Sequence, residues 1–168
     1  EIKEMADKSL DDFGIVKKKL QEEIKQLKHD CKAIAQSILD SIDGNGVSRK
    51  SFYRSLVPNF LEKIVDDKIA INETVIKYLD GSESGYSKTV PQSDKDFIDE
   101  KASKILASVL TINEKVGKIS MYEAFLQNLN PLSLLNTIYQ EFKQIQEEQN
   151  LVSISDFNKI IHNEIQNQ

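Results

Sequence analysis

Carboxylates and amides alternate ahead of glycine in DSIDGNGVSRKSF, residues 40–52, and that spacing raises the chemistry of a calcium loop. A loop of the EF-hand type places oxygen ligands at positions one, three, five and twelve, the last a glutamate that grips the ion through both oxygens. With Gly46 as the sixth residue, Asp43 and Asn45 fall correctly, but Ser41 stands first and Phe52 twelfth. With Gly44 as the sixth, the first and twelfth residues are Leu39 and Lys50. A second stretch, INEKVGKISMYEAF, supplies the other half: Gly117 at six, Ile119 at eight and Glu123 at twelve. Ile112 and Val116 occupy its first and fifth positions and bring no side-chain oxygen. Two half-loops do not make a cage, so no metal site is expected.

Other reactive side chains read more simply as structure. His29 and His162 lie off the apolar stripes of their helices, with no second ligand at helical spacing. Cys31 occupies an apolar seam, where a thiol packs as a small hydrophobe, and as the single cysteine it can form no internal disulfide. The pairs Asp11–Asp12 and Asp66–Asp67 point in different directions on a helix and read as acidic surface. No glycine-rich loop ends in Lys-Ser or Lys-Thr, and no Asp-Glu pair follows an apolar strand. No catalytic residue and no cofactor-binding residue is therefore expected in this chain, and its function is expected to be binding.

Two places combine cations with aromatic rings. SRKSFYRSL carries Arg49, Lys50, Tyr53 and Arg54, including both arginines of the chain, and ESGYSKT carries Tyr86 and Lys88. Cations neutralise phosphates and aromatic faces stack on bases, so these six residues are the candidate nucleic-acid contacts. The plainer alternative is an ordinary helix start and an ordinary solvated loop.

The elements that position these residues read as helices. Leu20, Ile24, Leu27, Cys31, Ile34 and Ile38 recur at steps of three and four, which predicts a helix over residues 16–42, about seven turns long. Asp43-Gly-Asn-Gly46 stops it. Ser48 caps a following helix that carries Phe52, Tyr53 and Leu56 ahead of Pro58 and Phe60, Leu61 and Ile64 beyond it. Asn72 and Glu73 open a short helix, and residues 80–92 form an exposed excursion rich in glycine and serine. Ser93 and Asp96 approximate a capping box before a helix bearing Phe97, Ile98, Ile105, Leu106 and Val109. Gly117 predicts a turn, followed by helices over 121–129 and 133–148, with Pro131 favourably placed to start the latter. A last helix opens near Ser155, and only residues 68–71 or 118–120 suggest short extended pieces. The expected fold is all-α: an irregular multi-helix bundle with one long amphipathic helix and an exposed loop.

Composition agrees. The 168 residues are 39% hydrophobic and 29% charged, enough for one domain with a core. A net charge of −5 excludes a dominant basic surface, so any nucleic-acid contact must come from a local patch. No apolar run approaches the roughly 20 residues needed to span a bilayer, so no membrane partner is expected, and the lone cysteine suits a reducing cytoplasm. A chain that opens on glutamate is expected to be a piece of a larger one.

The C-terminal run NPLSLLNTIYQEFKQIQEEQNLVSISDFNKIIHNEI has an apolar helix with Tyr139, Phe142 and Lys143, a polar break, and then Ser155-Asp156-Phe157-Asn158 opening another helix. It resembles UvrD/Rep-type superfamily 1 DNA helicases, in particular the RecB- and AddA-like helicases of Bacteroidetes. In those proteins a tyrosine- and lysine-bearing helix and an apolar-x-Asp-Phe-x-x-apolar segment precede the DExx ATPase motif. Asp156 and Phe157 match the Asp-Phe of that pattern, while Asn158 and Lys159 stand where many relatives are acidic. The similarity covers the last 40 residues or so; LDDFGIVKKKLQEEI and PNFLEKI fit the helical subdomain 1B in general character only.

The resemblance implies an excised 1B region, with residues 1–150 as the helical subdomain and 151–168 as the helix returning toward a missing ATPase core. The parent would be an ATP-dependent DNA helicase of DNA repair, using ATP and magnesium, with or without an attached nuclease; the piece itself would be inert. Its implied partners are DNA and the remaining helicase domains. Phe157, Ile160 and Ile161 would pack against the missing domain, and in isolation they would seek another surface, including a second copy. A different class of reading is a helical protein-interaction module without DNA binding, which the stripe from Leu20 to Ile38 could support by pairing.

Overall fold

A computed structural model describes residues 10–166; the side chains of Leu10, Asp11, Ser155, Asp156 and Ile160 lie outside the described residues, and with them part of the acidic pair and of the Asp-Phe segment. The fold is all-α. Its elements are α1 (Leu10–Gly44), two 3-10 turns (Arg49–Ser51 and Tyr53–Ser55), α2 (Leu56–Val65), α3 (Glu73–Lys77), α4 (Gln92–Glu148) and α5 (Ile154–Gln166). The chain divides into two compact units. One is Lys19–Phe125; the other joins the described residues up to Lys18 with those from Leu126 onward.

The core of the Lys19–Phe125 unit lies where α1 and α4 pack antiparallel. From α1 it takes Cys31, Ala35, Leu39 and Ile42, with Ile34 and Ile38 partly covered; from α4 it takes Phe97, Ile98, Ile105, Val109, Ile112 and Val116. The two helices are pinned along their length by Lys28–Glu123 and Lys115–Asp30, each at 2.8 Å. Val57, Phe60, Leu61 and Ile64 of α2 and Val75 and Leu79 in and after α3 close the core. The buried seam of α1 is thus rotated slightly from the expected stripe, with Ala35, Leu39 and Ile42 buried and Ile34 and Ile38 at its edge.

Three helices end on the same device. Gly46 takes a left-handed backbone (φ 67°), Val47 N–H donates to the Ile42 carbonyl and Gly46 N–H to that of Asp43, which is a Schellman stop. Asp67 after α2 and Asn150 after α4 repeat it, with Lys68 N–H donating to Lys63 and Leu151 N–H to Gln146. The glycine-rich stop of the first helix stands as expected, although the helix already includes Leu10, ahead of the expected start near Val16.

Two expectations are corrected. Gly117 and Pro131 do not divide the chain: α4 runs unbroken through both. A glycine inside a helix costs about 1 kcal/mol. Ile105, Val109, Ile112, Val116 and Ile119 form one continuous buried stripe past it, and that burial outweighs the local preference. The extended piece at 118–120 is accordingly helical, and that at 68–71 has no strand partner. The helix expected from Ser48 onward is instead two 3-10 turns, broken at Arg54 (φ 47°) and Ser55 (φ 52°), before α2 begins. Pro58 falls in the first turn of α2, where its missing N–H would have had no helical acceptor.

Candidate nucleic-acid interface

Ser48 begins the site. Its side chain caps the first 3-10 turn by accepting from Lys50 N–H at 3.4 Å. The following backbone is extended only at Phe52, whose fully buried ring anchors the segment in the core. Phe52 pairs with Tyr86 as an antiparallel bridge. Tyr53 N–H donates to the Gly85 carbonyl and Ser87 N–H to the Ser51 carbonyl, both at 2.9 Å. The Ser87 hydroxyl adds bonds to the carbonyls of Lys50 (3.1 Å) and Phe52 (3.3 Å). The excursion at 80–92 is therefore solvent-exposed at its tip but docked at its return, where residues 85–87 lie against residues 50–53.

Two residues make the docking possible. A Cβ on Gly85 would lie 2.7 Å from the Tyr78 carbonyl oxygen, so only glycine fits there. Asp94, in the first turn of α4, is 8% exposed and accepts from the Ser51 hydroxyl at 2.6 Å and from Ser48 N–H at 3.3 Å. The Ser51 hydroxyl, then Ser48 N–H and the Ser93 hydroxyl, hold its carboxyl below the usual range, against the opposing effect of desolvation. The helix starts at Gln92 over the Pro91 carbonyl, so the expected Ser93–Asp96 capping box is not formed; Asp96 instead accepts from the Gln92 side chain.

The six sequence candidates fare differently. Arg49 is held by Asp43, at 2.6 and 3.1 Å, and by Glu62. The Asp43 carboxylate, with Glu62, pushes its pKa up, and the two acids neutralise its charge locally. Lys50, Arg54 and Lys88 are exposed and form no ion pair among the described residues. Tyr53 stacks on Tyr78, centroids 4.7 Å apart at 17°, and the Arg54 guanidinium lies over the Tyr53 ring at 5.2 Å. Lys95 lies over Tyr86 at 5.5 Å. Partial desolvation, then Tyr53 and Glu83, push the Tyr78 hydroxyl up, so it stays neutral at physiological pH.

Tyr78, Gly85, Asp94 and Lys95 belong to this site and carry no spacing signal that joins them to residues 48–54. Only the preference for an acid in a helix's first turn marks Asp94 in sequence.

The other candidates are structural. Cys31 is fully buried, and burial pushes its thiol up, away from nucleophile chemistry. His29 and His162 are exposed. Asp43 is committed to Arg49, Asn45 donates to the Ser41 carbonyl, Glu123 pairs with Lys28, and Gly117 lies inside α4. No group of three metal-binding side chains occurs among the described residues, and no described helix is long and apolar enough to cross a membrane.

The arrangement thus leaves Lys50, Arg54 and Lys88 exposed, without an ion-pair partner among the described residues, on two segments joined by the Phe52–Tyr86 bridge. No family model, no curated protein and no solved structure matches the chain.

Proposed function

We propose that this chain is a non-catalytic helical subdomain of the 1B kind from an ATP-dependent DNA helicase, and that it contacts DNA through the junction of residues 48–54 with residues 85–88. The observation that supports DNA contact is the docked return of the loop. It joins the two segments, more than thirty residues apart in sequence, that carry Lys50, Arg54 and Lys88, three exposed cations with no ion-pair partner among the described residues. On a chain of net charge −5, cations on such a joined pair of segments offer local contacts for phosphate rather than part of a general basic surface. The helicase parentage rests on the resemblance of the C-terminal run and assigns ATP, magnesium and the catalytic carboxylates to the parent.

Fluorescence anisotropy of a labelled forked DNA tests the contact. Binding should weaken steeply with salt, and Arg54→Gln with Lys88→Gln should weaken it about tenfold at low salt. Binding that ignores both substitutions overturns the interface. The parent chain must also carry a GxxxxGK[ST] segment upstream and a DExx segment downstream; their absence overturns the parentage.

A second reading, a protein-interaction module, is favoured by a separate observation. Leu134, Leu135, Ile138, Phe142 and Ile145 on one face of α4, and Ile154, Phe157, Ile161 and Ile165 on one face of α5, are all exposed. Apolar faces of that extent are built to be covered. In the helicase reading the remaining domains cover them; in this one another protein does.

A further inference from the structure

Single-strand-binding proteins commonly hold bases on open aromatic faces, and each stacked base contributes on the order of 1–3 kcal/mol. The tyrosines here are not open. An aromatic ring has two faces; Tyr78, stacked 4.7 Å away, fills one face of Tyr53. A guanidinium lying over the same ring at 5.2 Å cannot share that face, so Arg54 covers the other. Tyr86 carries the Lys95 ammonium over its ring at 5.5 Å and is packed, partly buried, against the hydrophobic core. Both rings are half-buried, and both follow backbone that is fixed by the bridge between Phe52 and Tyr86.

The backbone locks this state. Arg54 and Ser55 both hold left-handed conformations, at φ 47° and 52°, which non-glycine residues adopt uncommonly. That double turn throws the Arg54 side chain back over the ring of its predecessor. Swinging it away to admit a base would give up the cation–π contact and expose the tyrosine pair. Lys50 and Lys88, by contrast, are exposed on the two segments that the Ser87 hydroxyl ties together through the Lys50 carbonyl, and among the described residues neither lies over an aromatic ring.

We infer that this surface, read as a DNA contact as above, recognises the phosphodiester backbone and not the bases: Lys50, Arg54 and Lys88 engage phosphates, while Tyr53, Tyr78 and Tyr86 stiffen the platform that carries them. The ligand class is a polyanionic sugar-phosphate strand of any sequence. Arg54 serves both purposes, since a guanidinium stacked on a ring keeps its edge donors free for phosphate oxygens.

The test compares two labelled strands of equal length, about 30 units, one of thymidine nucleotides and one of abasic tetrahydrofuran units with the same phosphates, each titrated with the full chain in low salt. Equal affinity within about twofold is expected, with a log–log salt slope near −2, as three phosphate contacts on a single strand give. The variant K50Q/R54Q/K88Q should bind neither strand, while its thermal unfolding midpoint falls by no more than about 4 °C, the loss of the exposed Arg54–Tyr53 contact. An abasic strand bound tenfold or more weakly would show that bases are held and overturn this inference, leaving the DNA interface standing. Failure to bind either strand, or undiminished binding by the triple variant, would overturn the interface and the inference together.

Discussion

Asp94 shows how one side chain fixes the place of a site that it does not itself form. Its carboxylate is the acceptor for the Ser51 hydroxyl and for Ser48 N–H, so it holds the start of α4 against the segment that carries the cations. Those donors favour the ionised form and keep its pKa below the ordinary 3.8. Because the folded value is the lower one, the unfolded chain takes up the proton first as the pH falls. The contribution is therefore complete above the ordinary value and is lost as the pH drops through the folded one. Asp30, held down by Lys115 and Gln26, and Asp43, held down by Arg49, add to the same trend. Thermal unfolding followed by circular dichroism should show stability falling between about pH 5 and pH 2. Asp94→Asn keeps the shape but gives up the charge; it should lower Tm by about 2–5 °C at pH 7 and make the loss below pH 4 shallower. An unchanged pH profile would mean that Asp94 carries no such linkage. This residue also marks what the sequence could say: an acid in a first helical turn is legible, but Ser51, 43 positions away, is not.

Local patterns disclosed the helices and their stops, and tertiary packing decided where they continue. The apolar stripes, the Asn72 cap accepting from Thr74 N–H, and the glycine stop after α1 all follow from rules that act within a few residues. Gly117 misleads those rules because its cost is local, whereas the stripe from Ile105 to Ile119 gains its burial from α1. The loop misleads them differently: its composition is that of solvated chain, yet its return is sewn to residues 50–53 by backbone groups, which leave no mark in side-chain type, and by the Ser87 hydroxyl, whose residue type is equally at home in solvent. Gly85 is the one position where that docking is written in the sequence, since a Cβ there meets the Tyr78 carbonyl at 2.7 Å. Gly85→Ala should therefore displace the loop return and cost about 1–3 kcal/mol in denaturant unfolding, as overpacking against backbone does. Limited proteolysis within residues 80–91 should accelerate in the same variant. A substitution at Gly81, which has open space but a positive φ of 85°, should disturb the turn alone and leave the bridge in place. Equal proteolysis of the Gly85 variant and the parent would show that the loop is held by something other than this close approach.

The two compact units are unequal as folding bodies. Lys19–Phe125 encloses a core of fully buried aliphatic and aromatic side chains drawn from four helices. In the other unit the buried apolar side chains among the described residues are Phe13 and Leu129, at 8% and 3% exposure, while Phe142 stands 53% exposed and Ile154 82%. A large aliphatic or aromatic side chain contributes about 1.5–3 kcal/mol when fully buried. Soluble monomers rarely leave a contiguous apolar patch larger than about 300–600 Å². The face made by Leu135, Ile138, Phe142 and Ile145, at steps of three and four, meets the pattern of a helix prepared for a partner surface, whichever protein supplies it. If those side chains are truly outside the fold of this chain, changing them must spare its stability and alter only its associations. Ile138→Lys combined with Phe142→Glu keeps the net charge and should shift unfolding by no more than about 0.5 kcal/mol. The parent should show concentration-dependent self-association in sedimentation velocity and bind a hydrophobic dye, and the double variant should lose most of both. Loss of folding in the variant would instead place these residues in an internal core. Unchanged association would move the sticky surface to α5, where Phe157, Ile161 and Ile165 offer the second apolar face and the next pair of substitutions.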